Sequence, residues 1–489
     1  MKRNKFSLSQ YKLLTADLGQ LVPCSLTEVL PGDSFMGRTA ALVRTTPLVA
    51  PVMHPIQIRI HHFFCPTRLV FADWEPFITG GNDGQGDSSV YPTITAGGGG
   101  FAVGSVPDYL GCPTGVGSLE VSAIPIRIYN KIFNEYYRDQ DMISTEIAED
   151  SETVQRCAWE KDYFTASRPW PQRGPAVTLP LSGEAPITGL GTDGASYSSG
   201  GLTLEETGGN DVVYGANTLQ VTSANTYIAE DPANAGYPNV KADLSAATGA
   251  SVDAIREAFA LQRYQEARAR YGARYTEYLR YCGVVPSDAR LQRPEYLGGG
   301  KSTISFSEVL QTSESATTPL GTLGGHGITA MSTRNYLRYF TEHGFVMSLI
   351  SARPKSIYAN GLERHWNRRT KEDYFQKELQ HIGQQEIENQ EVYAQGTAAD
   401  NNTFGYQDRY SEYRKSMSTI AAEFRGATFD DWHLARLFSS LPTLNQSFTD
   451  CDPGDRIFAT TTVNNMQIMC QNTIKARRMV SRTQSNRVY

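Results

Sequence analysis

Two adjacent histidines and a nearby cysteine, His61, His62 and Cys65, are the residues of this 489-residue chain whose types and spacing most suggest metal ligation. They belong to PVMHPIQIRIHHFFC (51–65), where Ile56, Ile58, Ile60, His62 and Phe64 alternate with Gln57, Arg59, His61 and Phe63, the period of a half-buried strand. Successive strand side chains point to opposite faces, so His61 and His62 cannot both reach one ion without distortion, and packing is the simpler role. LGGGKST (297–303) ends like a phosphate-binding loop, but the first glycine of that motif would fall at Glu295. GGNDGQGD (80–87) spaces oxygen atoms as a calcium loop does, without the bidentate glutamate that completes one, and reads as a surface turn. Neither G-x-S-x-G nor H-E-x-x-H occurs, Glu342-His343 stands alone, and the pairs Glu205/Glu206 and Asp430/Asp431 read as solvated carboxylates. No catalytic set converges, and no cofactor is implied.

A second chemistry is recognition of a polyanion. Arg263, Tyr264, Arg268, Arg270, Tyr271, Arg274, Tyr275, Tyr278, Arg280 and Tyr281 interleave cations with rings that could stack on bases. Acids at Glu257, Glu266 and Glu277 are interspersed, so packed tyrosines and paired arginines are the expectation there. At the two chain ends no local acid is present. Lys2, Arg3, Lys5 and Lys12 precede the first acid, and residues 457–489 hold Lys475, Arg477, Arg478, Arg482 and Arg487 without one.

These residues need a scaffold, and the local pattern is mostly strand. Short runs at 56–64, 303–309 and 457–463, with 345–350 apolar on both faces, are punctuated by glycine clusters at 80–86, 97–100 and 321–327. Helical periodicity is confined to 127–138, 252–281 and 371–381. No internal repeat is evident, and strands with long excursions predict a sandwich or jelly roll within one large domain.

The excursions are unequal. Residues 174–254 carry nine acidic residues against one basic residue, Lys241, with twelve glycines and no Phe, Trp, Met or Cys. Such a segment has too little apolar surface to offset its own ordering entropy and must be disordered or held by neighbours. It accounts for −8 of charge, so the overall −6 hides a remainder near +2. Seven scattered cysteines without a CxxC pair argue against a disulfide framework or zinc knuckle and for folding in a reducing compartment. The start, MKRNKFSLSQYKLL, lacks the apolar run of a signal peptide, and no stretch approaches the roughly twenty apolar residues of a membrane span.

Long blocks of the sequence resemble the major capsid protein family of the Microviridae, small icosahedral single-stranded-DNA bacteriophages, on the gokushovirus-like side. They are LVPCSLTEVLPGDSF (21–35), PLVAPVMHPIQIRIHHFF (47–64), YNKIFNEYYRDQD (129–141), WEKDYFTASRPWPQRGP (159–175), RPEYLGGG (293–300), DYFQKELQHIGQQE (373–386), FGYQDRYSEYR (404–414) and WHLAR (432–436). The blocks leave out chiefly the 80–117 loop and the 174–254 insertion.

The resemblance implies a mainly β fold, an eight-stranded antiparallel jelly roll with long loop insertions and a few helices, in one domain over 1–489. It implies sixty copies in a T=1 icosahedral shell around circular single-stranded DNA, with no catalytic or metal residues. Partners expected on this basis are the chain itself, the genome, a small basic internal or packaging protein, a DNA pilot protein and a host surface receptor, with no membrane insertion. The setting would be the virion, assembled in the bacterial cytoplasm. The 174–254 insertion is then the variable protrusion near the threefold axes, 1–20 a basic arm and 471–489 a basic tail. Lys2, Arg3, Lys5, Lys475, Arg477, Arg478 and Arg482 are expected to face DNA, making backbone contacts that read no sequence. Arg293, Tyr296, Arg368, Tyr410 and Arg414 are expected at subunit contacts, where Arg and Tyr are favoured. Two other classes compete. A secreted carbohydrate-binding sandwich should bring a signal peptide and disulfides, and a non-viral single-stranded-DNA-binding protein should be basic overall, against a pI near 5.8.

Overall fold

A computed structural model describes residues 3–81, 89–177, 187–188, 241–242, 252–313 and 319–481. Its strands in chain order are β1 (Asn4–Ser7), β2 (Gln10–Ala16), β3 (Leu21–Val29), β4 (Ser34–Thr45), β5 (Ile56–Pro66), β6 (Thr93–Thr95), β7 (Glu120–Ser122), β8 (Ile187–Thr188) and β9 (Lys241–Ala242). They continue with β10 (Glu295–Thr303), β11 (Ser305–Leu310), β12 (Leu323–Ser332), β13 (Tyr336–Tyr339), β14 (Gly344–Pro354), β15 (Gln384–Glu388), β16 (Thr403–Asp408) and β17 (Met466–Arg478). The helices the argument uses are α1 (Trp74–Thr79), α2 (Val106–Leu110), α3 (Ile124–Ile132), α4 (Val252–Tyr271) and α5 (Tyr275–Tyr281).

Two antiparallel sheets make a β-sandwich. The larger has seven strands, β1-β17-β4-β12-β11 with β2 also on β17 and β13 also on β4, and the smaller runs β10-β5-β14-β3. The two sheets together hold eleven strands, since β1 and β2 share one side of β17, and β12 and β13 share one side of β4. Ala41 and Val43 of β4 and Ile468 and Cys470 of β17 meet Ile56, Ile58, Ile60 and Ile350 of the smaller sheet in one buried cluster. Truncating a fully buried isoleucine there to alanine should cost about 2–5 kcal/mol.

The two sheets differ on their other faces. α3 lays Ile124, Ile128, Tyr129 and Ile132 against Phe63, Cys65, Met347 and Leu349, so β5 and β14, the middle of the four-stranded sheet, are buried on both sides. β17 instead alternates buried and exposed residues along its length, as a sheet does with one face in water. A satellite cluster of Tyr163, Phe164, Tyr358, Ile387, Phe404 and Phe448 supports the excursions between β14 and β17. Compact contacts divide the chain into residues 1–173 with 266–489, and Gly174–Gln265. Most of the acidic insertion lies outside the described residues.

Some local expectations change. The strand at 56–64 runs on to Pro66, 345–350 is the middle of β14, and 127–138 is α3 followed by a π turn, Phe133–Tyr137. Residues 371–381 hold two 3-10 turns, Lys371–Asp373 and Lys377–Leu379, because Asp373 accepts from the backbone of Arg369 and Thr370 and caps the first turn. The 252–281 helix breaks at Gly272, φ 100°, into α4 and α5. Residues 457–463 form no strand; Ile457 and Phe458 plug the core from a loop, and the strand begins at Met466. The 321–327 glycines do not interrupt a strand. Gly327 lies within β12, where a Cβ would come within 2.9 Å of Ile304, Phe306 and Thr45.

Candidate nucleic-acid interface

β1 pairs with the far end of β17 in the register Lys5↔Arg477 and Ser7↔Lys475. The two chain ends that looked like separate basic arms are thus neighbouring strands of one sheet. Antiparallel partners share a face, so Lys5, Lys475 and Arg477 stand side by side on the exposed surface. β4 continues the face, with Lys475 opposite Met36 and Arg477 opposite Ser34, and β13 adds Leu337 and Tyr339. These side chains with Arg3 line a groove of about 1140 Å³. Arg3 lies over the Tyr339 ring at 4.9 Å and donates to Ser34 Oγ at 3.3 Å.

The same face extends along the sheet. On β4 the outward positions include Arg38 and Arg44; on β2 they include Tyr11 and Leu13, opposite Gln471 and Met469 of β17. None of the outward-facing residues of β1, β2, β4, β12, β13 and β17 is Asp or Glu. Among the described residues no carboxylate lies within ion-pair distance of Arg3, Lys5, Arg38, Arg44, Lys475 or Arg477. Arg38, Arg44, Tyr11 and Tyr339 are absent from the residues expected on sequence grounds. The signal was the alternation of SFMGRTAALVRT, which sets Arg38 and Arg44 opposite in phase to Phe35 and Val43.

Arg478 turns away from this face. Its Nε donates to Asp33 Oδ2 at 2.8 Å, Asp33 also accepts from Leu30 N at 2.9 Å, and the guanidinium lies 5.4 Å from the Phe35 ring. Lys2 and Arg482 lie outside the described residues.

The residues expected at subunit contacts divide. Arg293 donates to Asp288 Oδ1 at 2.8 Å and lies over Tyr136 at 4.6 Å; Arg368 lies between the rings of Tyr413 and Tyr374, 3.8 Å from Glu412. Tyr410, 4 % exposed at φ 63°, receives Gln376 N–H at 2.9 Å on its hydroxyl. These three are engaged inside the protomer. Tyr296 is 47 % exposed and the Arg414 side chain 57 % exposed, so both remain accessible.

The other candidate chemistries resolve into packing. His61 Nδ1 meets Tyr137 Oη at 2.7 Å on one face, and His62 meets Ser348 Oγ at 2.8 Å and Thr333 Oγ1 at 3.1 Å on the other. Burial pushes both imidazoles down to about 4, so they are neutral near pH 7. LGGGKST lies in β10, where a Cβ on Gly299 would come 2.2 Å from Ile60 O; its glycines serve strand contact. Glu342 takes Arg68 Nε at 2.6 Å, and His343 packs on Trp74 at 5.4 Å. Near the helices, Tyr271 and Tyr278 pack on Tyr281, Arg270 pairs with Asp408 at 2.9 Å, and Arg274 donates to the carbonyls of Asn134 and Arg138. Glu205, Glu206 and most of GGNDGQGD lie outside the described residues, and no helix among the described residues is long and apolar enough to cross a membrane.

Comparison with known proteins points to one family. The capsid protein (F protein) family matches residues 1–486. Capsid protein VP1 of Bdellovibrio phage phiMH2K is 38 % identical over 473 residues, covering 92 % of this chain and 88 % of that protein. Capsid protein VP1 of Chlamydia phage 1 is 34 % identical, covering 94 % and 91 %, and that of Spiroplasma virus 4 is 30 % identical, covering 91 % and 87 %. The chain therefore belongs to the F capsid protein family of Microviridae-type phages: it is a structural, non-enzymatic protein of the virion.

Proposed function

We propose that this capsid protein assembles as sixty copies in a T=1 shell with the outer face of its seven-stranded sheet turned inward, against packaged single-stranded DNA. One observation carries the reading: a sheet face bearing Arg3, Lys5, Arg38, Arg44, Lys475 and Arg477 with no acid among its outward-facing residues. Unpaired cations on such a face meet phosphates without reading bases, and Tyr11 and Tyr339 offer rings to unstacked bases. The 174–254 insertion, at net −8, would be repelled by the same DNA and belongs on the outside, in contact with the host surface. The exposed aromatics Trp366, Tyr374, Phe375 and Tyr413, beside Arg414, supply the residue types that dominate contacts between copies. A small basic packaging protein and a DNA pilot protein complete the expected particle.

The test is the salt dependence of single-stranded DNA binding. Replacing Arg3, Lys5, Lys475 and Arg477 together by glutamine should flatten the slope of log K against log salt by about 0.7 per lost contact. The protomer should keep its stability within about 0.5 kcal/mol, since these side chains are exposed. An unchanged slope would move the DNA to another surface. Replacing 183–243 by a short Gly/Ser linker should leave soluble shells that adsorb poorly to host cells.

A further inference from the structure

Four of the seven cysteines meet in two pairs. Cys24 on β3 and Cys470 on β17 face each other across the core between the two sheets, both fully buried. The two thiols are close enough to couple their titration, which raises Cys24 and lowers Cys470. Asn472 Nδ2 donates to Cys24 O at 3.0 Å and holds the two strands together at that level. Lys12 stands opposite Cys470 in the β2–β17 register, its Nζ on Pro23 O at 2.9 Å. The neighbouring Cys24 thiol, joined by the charge of Lys12, holds the Cys470 thiol below its ordinary range. Lys12 also lines a cavity of about 570 Å³ bordered by Leu13, Arg44 and Asn464.

Cys157 and Cys451 form the second pair, buried beside Trp159. Ala158 and Asp450 make an antiparallel bridge, and Cys451 N–H donates to Cys157 O at 2.8 Å, so the two cysteines are directly opposed. Hydrogen-bonded antiparallel partners have Cα atoms about 5.5 Å apart, inside the roughly 4.4–6.8 Å that a disulfide spans. The neighbouring Cys451 thiol is the first cause that holds Cys157 below its ordinary range. All seven thiols are free, and Cys65 and Cys112 show no comparable thiol contact.

We propose that Cys24/Cys470 and Cys157/Cys451 are two nested dithiol sites that close to disulfides when the protein meets a small peroxide, tying the front of the chain to its back. The sulfur of Cys470, or of Cys157, loses its proton and attacks one peroxide oxygen. The O–O bond breaks, the sulfur becomes a sulfenic acid, and the departing hydroxide takes a proton to leave as water. The partner thiol then gives up its proton and attacks that sulfur; the S–S bond forms as the hydroxyl leaves with the proton as a second water. Two thiols lose two electrons, and one hydrogen peroxide becomes two waters.

The experiment treats reduced, folded full-length protein with hydrogen peroxide, quenches it, unfolds it in a thiol-alkylating reagent and measures intact and peptide masses. Alkylatable thiols should fall from seven to three, with 24–470 and 157–451 as the joined peptides. Seven alkylatable thiols after treatment, or links that scatter onto Cys65, Cys112 or Cys282, would overturn the proposal. Lys12→Met should slow closure of 24–470 on the order of tenfold and leave 157–451 as an internal reference. A ratio of the two closure rates unchanged from wild type would overturn the part given to Lys12, and the wild-type map needs no variant to fold.

Discussion

The outer face of the seven-stranded sheet and the pocket lined by residues 363–417 draw on the same residue types, arginine, lysine and tyrosine, and treat charge in opposite ways. On the sheet face, Arg3, Lys5, Arg38, Arg44, Lys475 and Arg477 have no carboxylate within ion-pair distance among the described residues, while Arg338 and Arg478 pair with Glu295 and Asp33. In the pocket, Arg364 Nη1 lies 2.8 Å from Glu391 Oε1, Arg368 3.8 Å from Glu412, and Arg414 3.8 Å from Asp408. A cation already paired inside its own protomer has little left for a polyanion, whereas an unpaired one on a flat face keeps its full field for a ligand. Arg/Tyr-rich sequence is therefore no guide to nucleic-acid binding until the carboxylates around it are located.

The comparison breaks most sharply at Arg364. Glu391 is fully buried and also takes the Tyr163 hydroxyl at 3.1 Å, so Arg364→Ala at pH 8 strands a carboxylate and should cost about 3–5 kcal/mol in denaturant unfolding. A cost near that of a surface arginine would mean the pair is not structural.

A smaller effect should appear with pH. Burial lifts the Glu391 carboxyl to about 7 from an ordinary 4.5, despite Arg364. Below pH 4.5 the group is protonated folded or unfolded, and its stabilising contribution is complete. As pH rises from 4.5 through 7 the unfolded chain ionises first, so stability falls by up to about 1.4 kcal/mol per unit. Glu391→Gln should remove that decline from a series of melting curves. His61 and His62 act in the opposite sense: with folded values near 4, their contribution is present above pH 6.5 and is lost as pH falls.

On the sheet face, Tyr339→Ala should weaken single-stranded DNA binding by about 1–3 kcal/mol while leaving the salt slope alone, because a stacking ring carries no charge. A changed slope with unchanged affinity would assign Tyr339 to positioning Arg3. The smallest effect belongs to Arg414, exposed and loosely paired: Arg414→Ala should alter protomer stability by less than about 0.5 kcal/mol. Shell yield, read by sedimentation, should fall if it meets a neighbouring copy.

Much of the sandwich was legible wherever one face of a strand is wet or one stripe of a helix is buried. The Ile56-Ile58-Ile60 alternation announces β5, and the spacing of Ile128 and Ile132 announces α3. β17 was missed though its pattern is as regular. Met466, Ile468, Cys470, Ile474 and Ala476 are buried in phase, but the basic residues between them read as a tail. Register is what turns scattered Lys5, Lys475 and Arg477 into one groove, and it is a non-local quantity that no window of sequence contains. The same holds for Cys24 and Cys470, which only sheet stacking brings together.

β17 also governs when this protein can exist. It is hydrogen-bonded on one side to β1 and β2 and on the other to β4, so the middle of the larger sheet is a strand made more than four hundred residues after its neighbours. Until residue 478 leaves the ribosome, the side of β4 that β17 will occupy has no partner strand, and that edge is open to any passing strand. Folding must then follow synthesis, at the pace of closing a very long loop. A cell making many copies at once holds a standing population of chains with an unfilled slot, so a chaperone, or another copy's β17 by strand exchange, competes for the slot before any shell is begun.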